Sequence, residues 1–381
     1  NMPSRPESRH SAVLRTDFVT MHWHWLHPLV ARPGQGVAFL ALAVLVALVV
    51  DRLWGEPPAR WHPVVWMGKA LDACGRWVAP TAPTARDLQC FWLAALCWCA
   101  LVAIVLVVTG LLQAAVLYVW GVPTEVCDVV VDVPGLGLEG ASAVVGVLRL
   151  TLAALLLGLL LKPLFAFTLL LREVRAVEDA LARSLDEGRA RLAWLVSRDV
   201  AQLSADEVRQ SAIESLAENL NDSVVAPLFW FAVAGLPGAA LYRLANTADA
   251  MWGYRGMREG RYWEWAGKWA ARADDVLSWL PARITALLLA LAGGGVRLRT
   301  LAREARQTPS PNSGWPMAAM ALALGVRLTK PGVYQLHAQG RAPALRDVWR
   351  AKKMASKVVL TLSGIALSAI VFVVIQGAWN A

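Results

Sequence analysis

The sequence predicts an all-α integral membrane protein with about four transmembrane helices, one or two broken or re-entrant segments, and helical cytoplasmic loops. Three observations predict it. Of 381 residues, 57% are hydrophobic and only 17% charged, and the mean hydropathy is +0.47, which excludes disorder and an ordinary soluble domain. Several runs are apolar over the length needed to cross a hydrocarbon layer of roughly 30 Å. The remaining Lys and Arg are segregated into particular loops, as orientation by positive charge requires. The net charge of +9 calls for no nucleic acid: no basic run interleaved with aromatics occurs, and charges beside spans together with anionic substrates account for it.

Residues 1–35 contain Pro, Arg and His without a period and read as a tail. Within it His22, His24 and His27 alternate with Trp, which suits an interfacial segment better than a metal site. Residues 37–50 form a short apolar run, 91–120 a charge-free one, 142–171 a third whose only charges are Arg149 and Lys162, and 358–378 a fourth. The stretches 224–242 and 276–296 are interrupted by Pro227, Pro237, Pro281 and Arg283, as broken or re-entrant segments are. Lys and Arg number five in 51–90, none in 121–141, seven in 172–222, five in 244–275 and twelve in 297–357. The acidic 121–141 loop is therefore expected outside, and the helical regions 51–90, 172–275 and 297–357 in the cytoplasm. Residues 36–381 read as a single membrane-embedded domain. The five cysteines, Cys74, Cys90, Cys97, Cys99 and Cys127, form no C-x-x-C pair, so neither a zinc site nor a disulfide framework is expected.

No G-x-x-x-x-G-K-[ST] loop occurs. GLGLEG at 135–140 fits G-x-G-x-x-G, but it lies in the external loop before a span, without strand and helix alternation, and reads as a turn. The informative stretch is 198–283. At about 100° per residue, Glu214, Glu218, Asn221 and Asp222 share about 100° of arc on one helix face. Such a face is either solvated or holds a cation, and its run into VVAPLFWF places it at the membrane border, where desolvation favours the cation. Asn246 and Asp249 follow at i, i+3, near Tyr254. Next come Arg272, Asp274, Asp275 and Arg283; adjacent aspartates point apart on a helix, so one can bind metal while the other caps or pairs. Earlier, Asp51, Glu56 and His62 sit among Pro and Trp, where His62 reads as a structural residue or a general base. SPNSGWP at 310–316 reads as a turn that presents amides to an anion or caps a helix.

These residues together resemble the adenosylcobinamide-phosphate synthase family (CobD/CbiB) of cobalamin biosynthesis. The matching pieces are D-x-L-x-G-E-P and W-H-P-V within 51–64, R-D at 198–199, and E-S-x-A-E-N-x-x-D with A-P-L-F within 214–229. They continue with N-T-x-D-x-M-x-G-Y at 246–254, A-R-x-D-D and P-A-R within 271–283, and S-P-N-x-G-W-P-M-A-A at 310–319. The likeness covers about residues 37–380, and Ser278 stands where that family is expected to carry Asn.

The resemblance implies a multi-pass enzyme of the bacterial inner membrane. Such an enzyme joins aminopropanol, free or as (R)-1-amino-2-propanol O-2-phosphate, to the f-propionate carboxylate of adenosylcobyric acid, using ATP and Mg²⁺. On physical grounds, placed on those family-matching positions, Glu214, Glu218, Asp222 and Asp249, with Asp274 or Asp275, are candidate Mg²⁺-ATP ligands, and Lys268, Arg272, Arg283, Ser310 and Asn312 candidate substrate or ATP contacts. Asn219, Asn246 and Tyr254 would orient the reacting groups, and His62 would be the base. Further partners are the lipid bilayer and other corrinoid-pathway enzymes. Two other readings are a non-enzymatic AmpE-like sensor, which would have lost the acidic and Asn motifs that are present here, and a corrinoid carrier, supported only by the broken apolar stretches.

Overall fold

A computed structural model describes residues 33–121 and 138–379; His22, His24, His27, Cys127 and residues 135–137 of the glycine loop lie outside them. Among the described residues the regular structure is helical apart from two small hairpins, with irregular loops between the elements. Its elements are α1 (Pro33–Trp54), α2 (Pro63–Val78), α3 (Asp87–Gly121), α4 (Leu138–Leu161), α5 (Phe167–Leu181), α6 (Leu185–Leu192) and α7 (Ala205–Leu220). There follow α8 (Ala226–Trp252), the hairpin β1 (Met257–Arg258) and β2 (Arg261–Tyr262), α9 (Lys268–Ala292), α10 (Leu298–Ala305), α11 (Gly314–Leu324), the hairpin β3 (Leu328–Lys330) and β4 (Tyr334–Leu336), and α12 (Leu345–Trp379). The hairpins correct the expectation of wholly helical loops: strands of two or three residues are too short to register as alternation in a sequence.

Six segments among the described residues are long and apolar enough to cross a membrane, and they coincide with the six apolar stretches of the sequence. α1 packs between α4 and α12, α8 lies against α3 and α9, and α9 in turn meets α11 and α12. The outer faces of α3 and α12 stay apolar and exposed, with Leu96, Ile104 and Leu111 on one and Leu360, Phe372 and Val374 on the other. Such surfaces are stable only against lipid or another apolar partner.

The segment 205–252 is not one rod. A straight helix from Asp222 to Tyr242 would separate them by about 30 Å at about 1.5 Å per residue, yet the Tyr242 hydroxyl lies 3.4 Å from Asp222 Oδ1. The chain therefore doubles back, and the turning point is Ala234 (φ −135°, ψ 18°) and Gly235 (φ 65°, ψ −155°). A residue with positive φ at this point favours glycine, and a Cβ at Gly235 would also run into the Gln113 side chain. The break frees the Leu236 amide, which donates to Gln113 Oε1 of α3 at 2.7 Å in a buried bond. A side chain on a neighbouring helix thus satisfies the backbone where water is excluded. The predicted interruption of 224–242 is found here, whereas α9 runs unbroken through Pro281.

A buried charge chain ties α1 to α4 and α5. Lys162 Nζ lies 3.1 Å from Asp51 Oδ1 and 2.8 Å from Glu56 Oε1, and Asp51 Oδ2 accepts from the amide and hydroxyl of Thr168 at 2.8 and 2.7 Å. The other Glu56 oxygen is 3.1 Å from His62 Nε2. Burial alone would raise the Glu56 carboxyl, but the bonds to His62 and Lys162 and the lysine charge outweigh it and hold the group below its ordinary value.

Candidate functional site

The site begins at the capping box of α7, where the Ser204 hydroxyl accepts from the Glu207 amide and Glu207 Oε2 accepts from the Ser204 amide at 2.7 Å. This box fixes the helix start and hence the direction of Glu214 and Glu218 along it. At Asn221–Val225 the helix widens into a π-type turn, with the Ala226 amide bonded to the Asn221 carbonyl, a local unwinding frequent at functional sites. Asn221, which opens this turn, leaves the acidic face: it is buried, its Oδ1 accepts from Thr285 at 3.0 Å, and its amide donates to Asp222 Oδ1 at 2.7 Å.

Because α8 doubles back, Asn246 and Asp249 on its returning half come beside Glu218, Asn219 and Asp222. With Tyr254 and the loop residues Trp194–Ser197 they line one cavity of about 540 Å³. Glu218 and Asp249 have no side-chain hydrogen-bond partner among the described residues, while their neighbours are held. Asp222 accepts from Asn221 and Tyr242, and Asn246 donates to Asp274 at 3.4 Å and accepts from Arg243 at 3.4 Å. Ser278, in place of the expected Asn, is 3.0 Å from the Tyr242 hydroxyl and 3.5 Å from both Asp274 oxygens.

A second layer surrounds the cavity. Arg198 donates to Glu214 Oε2 at 2.8 Å and to Ser211, yet its Nε and Nη1 and the other Glu214 oxygen are buried without partners. The β3–β4 hairpin carries Lys330 and Tyr334, both of which interact with Glu214. Burial, then the Glu214 and Glu218 carboxylates, push the Tyr334 phenol up. The oxygen-rich lining suits a hard divalent cation. Among the described residues, however, no three His, Cys, Asp or Glu side chains converge into a ready cage. An ion here would keep water or phosphate oxygens as ligands, as Mg²⁺ commonly does.

The sequence model described as CobD/Cbib protein matches residues 44–362. The chain belongs to the CobD/Cbib family. It is 37% identical to the probable cobalamin biosynthesis protein CobD of Methanothermobacter thermautotrophicus, covering 77% of this chain and 85% of the relative. It is also 36% identical to the cobalamin biosynthesis protein CobD of Chromobacterium violaceum (87% and 97%) and 33% identical to that of Brucella suis (86% and 96%). No solved structure is significantly similar to it.

Of the residues singled out in the sequence, Glu218, Asn219, Asp222, Asn246, Asp249 and Tyr254 are brought together on the cavity. Glu214 and Asp274 stand behind it, engaged by Arg198 and by Asn246 and Ser278. Asp275 is not part of the cavity lining, although its carboxylate acts electrostatically on Asp249 and Asp274, and its backbone carbonyl accepts from Asn312 at 2.8 Å. Lys268 stacks 3.4 Å over Trp265, and neither it nor Arg272 lines the cavity. His62 also lies outside the lining, tied to Glu56.

Arg283, Ser310 and Asn312 form a separate group. Arg283 donates to Asn312 Oδ1 at 2.8 Å and to the Pro311 carbonyl at 3.2 Å, and sits over Trp279 and Trp315. The Ser310 hydroxyl accepts from the Asn312 and Ser313 amides at 3.2 Å each. Those donors are consumed inside the turn that precedes α11, whose first-turn amides receive no side-chain cap. The sequence reading missed Arg243, Tyr242, Lys330 and Tyr334. Arg198 was legible only as half of an R-D pair, because its partner Glu214 is set by the fold.

Proposed function

We propose that this member of the cobalamin-biosynthesis family is an ATP- and Mg²⁺-dependent amide ligase. It attaches aminopropanol, as (R)-1-amino-2-propanol O-2-phosphate, to the f-propionate carboxylate of adenosylcobyric acid, giving adenosylcobinamide phosphate. The observation that carries the reading is that six family-matching polar residues, three of them carboxylates, line one cavity of about 540 Å³ in a membrane-type helical scaffold. A carboxylate is a poor electrophile, so one propionate oxygen attacks the γ-phosphorus of ATP, releasing ADP and forming an acyl phosphate. The amine nitrogen then attacks the acyl carbon, expelling inorganic phosphate and losing a proton.

Mg²⁺ would sit among Glu218, Asp222 and Asp249 with water or phosphate oxygens completing its shell, and its contribution would be to neutralise phosphoryl charge. Asp274 bears on Asp222 through Asn246, while Glu214 holds Arg198 beside the set. Asn219, Asn246 and Tyr254 offer neutral donors and acceptors for the carboxylate and amine. In this reading α1, α3, α4 and α12 cross the bacterial inner membrane, the doubled-back 226–252 segment enters and returns, and the polar loops face the cytoplasm. Adenosylcobyric acid and the amine arrive from that side, where other corrinoid enzymes supply them.

The test is ligation by the full chain in detergent with adenosylcobyric acid, aminopropanol phosphate and MgATP, followed by mass spectrometry. Amide that requires both ATP and Mg²⁺ supports the proposal. Corrinoid binding with no amide under any condition refutes it in favour of a carrier.

A further inference from the structure

Residues 55–86 join α1 to α3, two of the segments apolar enough to cross a membrane, and α2 lies within them. With 16 residues α2 is about 24 Å long at about 1.5 Å per residue, and it carries charge, so it does not itself cross. Its place is still tied to the membrane border. The chain leaves α1 through Glu56, which is paired with Lys162 at the end of α4, and it enters α3 at Asp87.

The girth of α2 divides into sectors. Met67, Leu71, Gly75 and Val78 are buried, and the helix packs against α8 and α3. At about 100° per residue, Trp66, Ala73 and Trp77 fall within about 40° of arc. All three are exposed, Trp66 by 50% and Trp77 by 69%. Lys69 lies between this stripe and the ion pair of Arg76 and Asp72, which lines a polar cavity of about 320 Å³. An aromatic stripe bordered by a basic row, with polar groups beyond, is the arrangement of a helix lying flat at a lipid surface.

The neighbouring residues repeat both features. Trp54 at the end of α1, Trp61 just before α2 and Trp92 in the second turn of α3 are exposed as well, and indoles gather where lipid meets water. Both carboxylates of 55–86, Glu56 and Asp72, are paired. Arg60, Lys69 and Arg86 are exposed, and their side chains form no ion pair or hydrogen bond with the described residues. The connection therefore presents aromatic rings and unspent cations on the same side of the membrane, and an anionic headgroup complements both.

We infer that α2 lies in the plane of the membrane surface, with Trp66, Ala73 and Trp77 at the acyl boundary and Arg60 and Lys69 binding the headgroups of anionic phospholipids. The inference goes beyond the ligase reading and rests only on α1 and α3 crossing the membrane.

The experiment uses the full-length protein in nanodiscs of equal phosphatidylglycerol and phosphatidylcholine. In a chain with its five cysteines replaced by alanine, a nitroxide is attached at Ala73→Cys, at Ile104→Cys on the exposed face of α3, or at Asp186→Cys on α6, whose side chain is 92% exposed. Collision with oxygen against a water-soluble nickel chelate reads depth. Ala73 is expected between the other two; a value equal to Asp186 or to Ile104 overturns the in-plane helix. If Ile104 itself reads as water, the crossing of α3 fails and the inference falls with it. Separately, benzoylphenylalanine in place of Trp66 is photolysed and the attached lipid identified by mass spectrometry. Phosphatidylglycerol should exceed phosphatidylcholine among the adducts by about fivefold or more, and Arg60→Gln with Lys69→Gln should bring the two close to equality. Equal capture with both cations present, an unchanged preference without them, or no lipid adduct at all overturns the headgroup site.

Discussion

Replacing Glu218 by Gln separates function from folding in one substitution. The side chain keeps its size, and Glu218 accepts no hydrogen bond from the described residues, so the change breaks no bond within the protein. What it removes is one of three carboxylates on a single cavity. Like charges held together in a partly desolvated site repel by on the order of 1 kcal/mol or more per pair, so the folded state should be unchanged or more stable. Ligation should fall by about 100- to 1000-fold in kcat, or about 3–4 kcal/mol of lost charge stabilisation. Thermal unfolding in detergent and product formation by mass spectrometry read the two effects separately. Near-normal turnover would remove Glu218 from the site, and a lowered unfolding temperature would make it a structural residue.

Lys162→Met should destabilise the protein by about 3–5 kcal/mol, because it leaves Asp51 buried without its cation and removes one partner of the half-buried Glu56. Adding Glu56→Gln should recover part of that loss in the same unfolding assay. Gln113→Leu should cost about 1–3 kcal/mol, since the buried Leu236 amide then has no acceptor; an unchanged melting temperature would show that the reversal is held otherwise. For pH, the Glu56 carboxyl lies below its ordinary value in the folded chain. Its stabilisation is therefore complete above the unfolded value of about 4.3 and disappears as pH falls through the lower folded value. Wild type should exceed Glu56→Gln in unfolding temperature at neutral pH, with the gap closing below about pH 4.

Bulk hydropathy made the helical segments legible, because six long apolar stretches have no other stable use of their length. Spacing made half the site legible: Glu214 and Glu218 at i, i+4, and Asn246 and Asp249 at i, i+3, each need only an intact helix to share a face. Asn221 escaped that reading because the partner that holds it, Thr285, lies 64 residues away. Lys162 and Glu56 are 106 residues apart, and Arg198 meets Glu214 from a loop, so neither pair carries a local signal. Ser310 and Asn312 were ambiguous for a chemical reason, since the Ser oxygen that makes a turn suitable for capping also consumes the amides that an anion would need.

The doubled-back segment explains why a polar cavity exists in so apolar a chain. On one straight helix Asp222 and Asp249 would stand about 40 Å apart at about 1.5 Å per residue, at opposite faces of a bilayer. Reversal at Gly235 brings them onto the same cavity and lets both ends of the segment open to the same side. The apolar turn can then lie deep while the carboxylates remain at its mouth, where water can reach them. The cost is a broken backbone away from water, and Gln113 offsets it from α3. Gly235 and Gln113 touch nothing in the cavity, but they determine that it forms.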